Sequence, residues 1–226
     1  MQKIRLGIIG PGLIWDKIHR DIVRSMGNTF KVTALSARSE ETRQKARNQF
    51  PQATIHPDYR DLISSDEVEA VVILTPIPMN APVTLEVLAA GKHAIVEKPL
   101  ATSTSEAKEI IEAERKGSGN VYILEQHPQK SFIPEVRSIM EEGLLGRVLH
   151  FELVFHNRLE ESGEGEDRNY GDTSWRQENA FPLGNIFDGG IHAIALLQSL
   201  FGPPEWITSL GSNLRPTFGE YDNITS

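Results

Sequence analysis

Short apolar runs alternate with charged or amphipathic segments through the first half of the sequence, and this alternation most constrains the fold. The first run covers residues 4–9 and closes at Gly10-Pro11-Gly12. A strand buried on both faces reads as a continuous apolar run, so we predict further strands at residues 31–36, 68–74, 93–96 and 121–124. Helices are predicted between them, at residues 40–50, 59–64, 83–90 and 105–116. This order predicts an α/β domain with a doubly wound parallel sheet over residues 1–125.

The second half has a different pattern. A helix is predicted at residues 133–142 and a long strand with alternating apolar side chains at 148–156. Residues 186–201 read as a helix that is apolar nearly all round and should therefore be buried, and a strand is expected at 206–210. Two clear strands are too few for a sheet with covered faces. We therefore expect residues 126–226 to form a second domain that is incomplete.

Composition excludes several classes of partner and chemistry. The chain has 23 Lys+Arg against 31 Asp+Glu, a net charge of −8, so it lacks the basic surface of a nucleic-acid-binding protein. Its cysteine count of zero excludes disulfides and thiolate chemistry and fits a reducing compartment, so we expect a cytoplasmic protein. The longest apolar run, residues 70–74, is far short of the roughly 20 residues that a membrane span needs.

The turn after the first strand has the spacing of a dinucleotide-binding turn. Gly10 permits the tight turn, and Gly12 lets the backbone approach a pyrophosphate at the start of the next helix, where Leu13 and Ile14 follow. The third position, normally Gly or Ala, is Trp15. Because the turn lies between a predicted strand and a predicted helix, a nucleotide site is favoured over an ordinary turn.

The end of the second strand bears on the choice of cofactor. An acidic residue there binds the ribose hydroxyls of NAD, but this chain has Ala37 at that place. Ser36, Arg38 and Ser39 surround it, and a guanidinium is a bidentate partner for a 2′-phosphate. NADP is the expected cofactor, with NAD still possible. The alternative is that Arg38 is a solvated residue at the start of a charged helix.

Two further strand ends carry candidate site residues. Thr75-Pro76 follows the strand at residues 68–74, and Glu97-Lys98-Pro99 follows the strand at 93–96. Doubly wound sheets bind ligands at the carboxyl ends of their strands, so Lys98 could donate or relay a proton there. A surface lysine before a turn-forming proline is the equally simple alternative.

In these motifs the sequence resembles the glucose–fructose oxidoreductase/inositol dehydrogenase (Gfo/Idh/MocA) family. The resemblance rests on the glycine turn and Glu97-Lys98-Pro99, together with further segments in the same order along the chain. These are His19, Thr75-Pro76, Ala89-Ala90-Gly91-Lys92-His93, Gly143-x-x-Gly146, Ser174-Trp175-Arg176 and Asp188-Gly189-Gly190-Ile191-His192. The resemblance implies a Rossmann domain followed by an α/β domain whose open sheet forms a homo-oligomer interface. It also implies a small-molecule substrate that is a sugar, a cyclic polyol or a related compound.

The resemblance also implies roles for particular residues. Lys98 would contact cofactor and substrate, and His192 would be the acid/base on the reacting hydroxyl, with Asp188 beside it on the helix. Gln126, Trp175 and Arg176 would line the cofactor site. Without the resemblance, Asp188 reads as a helix N-cap and His192 as a satisfied core histidine.

The sequence also departs from the family pattern. Ile77, Asn80 and Ala195 replace residues that the family often has, which affects polyol recognition more than cofactor binding. His150 and His156 lack an evident third ligand, so no metal site is predicted. Two other functions stay open: a glycosidase or epimerase that retains its cofactor, and a non-catalytic nucleotide-binding regulator.

Overall fold

The structure is a computed structural model that describes residues 2–154, 169–178, 184–214, 219, 221 and 223–225, with backbone alone at 185–186 and 223–224. The chain forms two compact units, Met1–Leu124 and Glu125–Ser226. Among the described residues, no helix has the length and apolar character needed to cross a membrane.

A six-stranded sheet forms the centre of the first unit. Its strands are β1 (Ile4–Ile9), β2 (Phe30–Ser36), β3 (Thr54–His56), β4 (Ala70–Ile73), β5 (His93–Glu97) and β6 (Val121–Leu124). They pair in the order β3-β2-β1-β4-β5-β6, and every pairing is parallel. The direction of winding reverses between β1 and β4, the place where such sheets bind ligands. The predicted doubly wound α/β fold is confirmed.

Helices connect these strands. They are α1 (Arg20–Ser25), α2 (Glu40–Gln49), α3 (Tyr59–Ile63), α4 (Ile77–Ala89) and α5 (Thr104–Lys116), with a π-helical turn at Trp15–His19 before α1. The predicted start of α4 at residue 83 is wrong by six residues, because the helix contains Pro82. The carbonyl that Pro82 leaves unbonded belongs to the exposed Pro78, where water can satisfy it.

Trp15 provides the largest fully buried side chain of the first unit. Its ring centroid lies 5.8 Å from that of Phe50, and its Nε1–H donates to Gln49 Oε1 at 3.3 Å. Ile18 and Ile22, which recur with Ile14 at α-helical spacing, are instead 42% and 51% exposed. The π-helical turn holds more residues per turn than an α-helix, so it shifts which side chains face the sheet.

In the part of the second unit that the structure describes, helices make up most of the regular secondary structure. This part contains α6 (Phe132–Glu141), α7 (Ser174–Gln177), α8 (Gly184–Asp188) and α9 (Gly190–Phe201), with 3₁₀ turns at His127–Gln129 and Tyr170–Asp172. An antiparallel pair, β7 (Leu210–Ser212) and β8 (Asn223–Thr225), forms its described sheet.

Three predictions for the second unit are wrong. Residues 148–154 pair with no strand in the described ranges, so their alternating pattern lacks the ladder partner that a strand requires, and residues 155–156 lie outside those ranges. The strand expected at 206–210 begins instead at Leu210. The helix predicted at 186–201 is interrupted at Gly189, and no residue of α9 is buried, contrary to the expectation from its apolar sequence.

Candidate functional site

The turn at Gly10 and Gly12 connects β1 to the helical segment that follows it. Gly10 has φ +75°, and a Cβ there would lie 2.8 Å from the Leu74 carbonyl oxygen, so no other residue fits without strain. Its N–H donates to the Ser36 carbonyl at 3.0 Å, which fixes the turn against β2. Gly12 is exposed, and a Cβ there would meet the Gly10 carbonyl oxygen at 3.9 Å, an ordinary van der Waals contact. Leu13 and Ile14 continue from it as partly buried helical residues.

The end of β2 and the loop after it pass from buried to exposed residues. Ser36 and Ala37 are buried, while the side chain of Arg38 is exposed. The Ser39 hydroxyl accepts from Thr42 N–H at 3.1 Å as the N-cap of α2, so this hydroxyl already has a structural role. Arg43 donates to the Ala37 and Arg38 carbonyls at 2.9 and 2.6 Å and so holds the loop in place.

Asn80 ties together the segments that end β4 and β5. Its amide nitrogen donates to the carbonyls of Glu97 (3.0 Å) and Pro99 (2.8 Å), which flank Lys98. Its amide oxygen accepts from the Thr75 hydroxyl at 2.8 Å. Asn80 is fully buried, and Pro76 beside Thr75 caps α4. The backbone on both sides of Lys98 is therefore held by one side chain from α4.

Glu97 also receives a hydrogen bond from outside its own loop. Its Oε1 lies 2.6 Å from His19 Nε2, and its Oε2 accepts from the Lys98 N–H at 3.0 Å. Glu97 thus orients the backbone of Lys98 from the other side.

In the second unit, Arg176 and Asp188 form an ion pair. Arg176 Nε lies 2.6 Å from Asp188 Oδ2, with both side chains 12% exposed. The guanidinium also donates to the Thr173 hydroxyl at 3.0 Å and lies 4.1 Å from the centre of the Trp175 ring. Asp188 is the last residue of α8, and Gly189 is the N-cap of α9, so the alternative of Asp188 as N-cap is wrong.

His192 belongs to a second polar cluster of the same unit, with Glu125 and His127. Glu125 Oε2 lies 2.6 Å from His192 Nδ1, and Glu125 Oε1 lies 3.1 Å from His127 Nδ1. The two imidazole rings are 4.2 Å apart at an interplanar angle of 31°. The ligand atoms of the three residues lie within 4.8 Å of one another, a set that could also hold a metal ion.

Several of these residues were not predicted as site residues. Glu125 and His127 flank Gln126, which is itself exposed, and they follow the carboxyl end of β6 directly. Charged residues at that place in a parallel sheet are a signal that could have identified them. Asn80 was noted only as a departure from the family pattern, because burial cannot be read from one polar residue in a helix.

Two family models match the chain. The model described as an oxidoreductase family with an NAD-binding Rossmann fold matches residues 4–125, and the GFO/IDH/MocA C-terminal domain matches residues 133–226.

Known proteins are similar over most of the chain. Scyllo-inositol 2-dehydrogenase (NADP(+)) of Bacillus subtilis is 25% identical over 92% of this chain and 55% of its own length. A glycosyl hydrolase family 109 protein of Shewanella is 31% identical over 58% of this chain and 29% of its own. The crystal structure of an oxidoreductase from Thermotoga maritima superposes with a TM-score of 0.85 at 26% identity, covering 99% of this chain and 67% of that one.

The chain spans about half the length of the curated relatives it matches. The family models nevertheless cover most of both units, and they agree with the parallel sheet and its glycine turn. The chain belongs to the Gfo/Idh/MocA family of oxidoreductases.

Proposed function

We propose that the protein binds a nicotinamide dinucleotide and serves in hydride transfer to or from a carbon that bears a hydroxyl or carbonyl group. The substrate class is a sugar, a cyclic polyol or a related compound. The observation that carries this proposal is that the backbone around Lys98 is held from two sides. Asn80 of α4 donates to the carbonyls on either side of Lys98, and the Glu97 carboxylate accepts from the Lys98 N–H. This segment lies at the same carboxyl edge of the sheet as the glycine turn. A surface lysine before a proline needs no such support.

Each residue has a stated task in this proposal. Gly10 and Gly12 admit the pyrophosphate, with Leu13 and Ile14 beside it, and the bound nicotinamide supplies or accepts the hydride. Lys98 contacts cofactor and substrate and assists proton transfer. His192 takes the hydroxyl proton or returns it. Asp188, held by Arg176, and the Trp175 ring complete the polar surroundings in the second unit, and the exposed Gln126 is a further cofactor contact.

The cofactor we propose is NADP. No acidic side chain follows β2, because Ala37 takes that place, and the exposed Arg38 guanidinium suits a 2′-phosphate. Ser36 and Ser39 would contribute through the backbone of this loop, since the Ser39 hydroxyl caps α2.

A second candidate is a glycosidase or epimerase that oxidises and then reduces its substrate on one retained cofactor. The similarity to a glycosyl hydrolase family 109 protein supports this second candidate. Such a protein would carry cofactor through purification and turn over without added NAD(P). A non-catalytic regulator would bind cofactor and oxidise nothing.

We also propose that the protein assembles with copies of itself through the second unit. Large apolar side chains are exposed there, including Leu149 (79%), Trp206 (79%) and Leu214 (77%). Exposed apolar side chains in number favour an interaction surface, because such surface is costly to leave in water.

Turnover on a panel of cyclic polyols and sugars with NADP+ tests the main proposal. Lys98→Ala and His192→Asn should each lower kcat by roughly 10²–10⁴, the usual contribution of a positioned acid or base. Lys116→Ala changes a lysine whose side chain is 78% exposed, and it should leave kcat unchanged. Parental rates in both site variants would refute the mechanism.

A further inference from the structure

The Glu125 carboxylate bridges two histidine side chains of the second unit. One oxygen faces His192 and the other faces His127, and all three side chains are 14–15% exposed. An ionised carboxylate only accepts hydrogen bonds, so both imidazoles must present a protonated Nδ1 to it. This arrangement assigns a tautomer to His192.

The carboxylate is itself held in a fixed orientation. Its Oε1 accepts from the His127 backbone N–H at 2.8 Å as well as from His127 Nδ1 at 3.1 Å. Two donors from one residue therefore fix Oε1, and Oε2 is left directed at His192 Nδ1, 2.6 Å away.

The two oxygens of Glu125 contact the two imidazoles separately. The ring centroids are 4.2 Å apart and the ring planes are inclined by 31°. Each histidine Nδ1 therefore has its own carboxylate oxygen, Oε2 for His192 and Oε1 for His127.

We propose that Glu125 is a positioning residue that holds His192 as the Nδ1–H tautomer, so that Nε2 is the atom that gains and loses a proton. The use of that proton in catalysis rests on the function proposed above. When Nε2 takes up a proton, the ring becomes an imidazolium whose charge lies beside the Glu125 carboxylate. Nearby partners of this kind set which ring nitrogen reacts.

Two-bond ¹⁵N–¹H correlation spectra of the ¹⁵N-histidine-labelled full chain test this inference. The sequence has seven histidines, and His192→Asn identifies the His192 signals by their loss. At a pH where the ring is neutral, we expect a pyrrole-type resonance at Nδ1 and a pyridine-type resonance at Nε2.

Glu125→Gln should invert this pattern while keeping the shape of the side chain. The His127 backbone N–H and Nδ1–H both donate to Oε1, so they would hold the amide oxygen of the new side chain at that position. Its NH₂ group would then face His192 Nδ1, and that nitrogen would have to be unprotonated to accept the hydrogen bond. Glu125→Ala should allow the Nε2–H tautomer to appear. His127→Gln leaves the Glu125–His192 contact in place and should retain the parental pattern.

An Nε2–H tautomer in the parent protein, or an unchanged Nδ1–H pattern in Glu125→Gln, would overturn the proposal. The spectra need neither cofactor nor substrate. A failure of the proposed function would therefore appear in turnover and leave this result unaffected.

Discussion

His19 Nε2 lies 2.6 Å from Glu97 Oε1, and this pair joins the π-helical turn after β1 to the carboxyl end of β5. Both side chains are 15% exposed or less. β4 lies between β1 and β5 in the sheet, so the pair spans the strand next to the point where the winding reverses. Since Glu97 also holds the Lys98 N–H, the position of Lys98 is coupled to the helical segment that follows the glycine turn.

A double-mutant cycle on His19→Ala and Glu97→Ala measures this coupling. We expect an interaction free energy between about 0.5 and 3 kcal/mol from urea unfolding, because the two groups are in direct contact and largely shielded from water. The exposed pair Glu112 and Arg115 of α5 is the control and should give less than about 0.5 kcal/mol. Additive effects of the two site mutations would show that the pair contributes nothing to stability.

Asn80→Ala should destabilise the first unit by about 1–3 kcal/mol, since it leaves two carbonyls and a hydroxyl without their buried partner. Urea unfolding of the variant checks the loss. Asn48→Ala changes an exposed asparagine of α2 and should shift the unfolding free energy by no more than about 0.5 kcal/mol. Equal effects of the two substitutions would contradict the bridging role of Asn80.

NADPH should bind more tightly than NADH in calorimetry, and Arg38→Ala should reduce that preference by roughly ten- to a hundredfold, the equivalent of one hydrogen bond to a charged group. Arg115→Ala, at an exposed position on α5, should preserve the preference. Equal affinities of the parent protein for the two cofactors would refute the NADP assignment and leave the fold as described.

Burial lowers the pKa of Lys92 from its ordinary value of 10.5, although its Nζ donates to the Ser65 and Val68 carbonyls. The unfolded chain therefore binds more protons than the folded chain as pH approaches 10.5, so this group makes stability rise with pH there. We therefore compare the unfolding free energies of the parent and of Lys92→Met across alkaline pH. The stability that the parent gains relative to the variant should increase as the pH rises. A difference that falls with pH would contradict the sign.

Light scattering of the 226-residue chain should report a mass above that of one chain, or aggregation on dilution from a stabilising buffer. The reason is the exposed apolar surface of the second unit, which includes Leu149, Trp206 and Leu214. A soluble monomer with a cooperative melt would contradict the proposed assembly.

The sequence allowed the sheet of the first unit to be predicted because its strands are buried on both faces. Residues 121–124 and 93–96 match β6 and β5 almost residue for residue. β3 was not predicted, since the three residues Thr54–His56 are too few to show a period. In the second unit, the alternating pattern of residues 148–154 could not show whether another strand pairs with them, and none does among the described residues.

The candidate site was predictable where backbone geometry demands a residue type. Gly10 is such a position, since its positive φ and the nearby Leu74 carbonyl exclude other side chains. Contacts between segments that are far apart in the sequence gave no comparable signal in the sequence. Neither His19 with Glu97 nor Glu125 with His192 has a sequence spacing that would predict the pair. Arg38 was assigned from its strand end, and Lys98 from its strand end and the family resemblance.

The burial of Trp15 gives the protein an optical probe beside its glycine turn. Of the three tryptophans, Trp15 is fully enclosed and Trp206 is 79% exposed, so their fluorescence should differ in colour and in access to quenchers such as iodide. Trp15 lies three residues after Gly12 and reports on the first unit, while Trp206 belongs to the second. Iodide quenching can therefore distinguish the enclosed Trp15 of the first unit from the exposed Trp206 of the second.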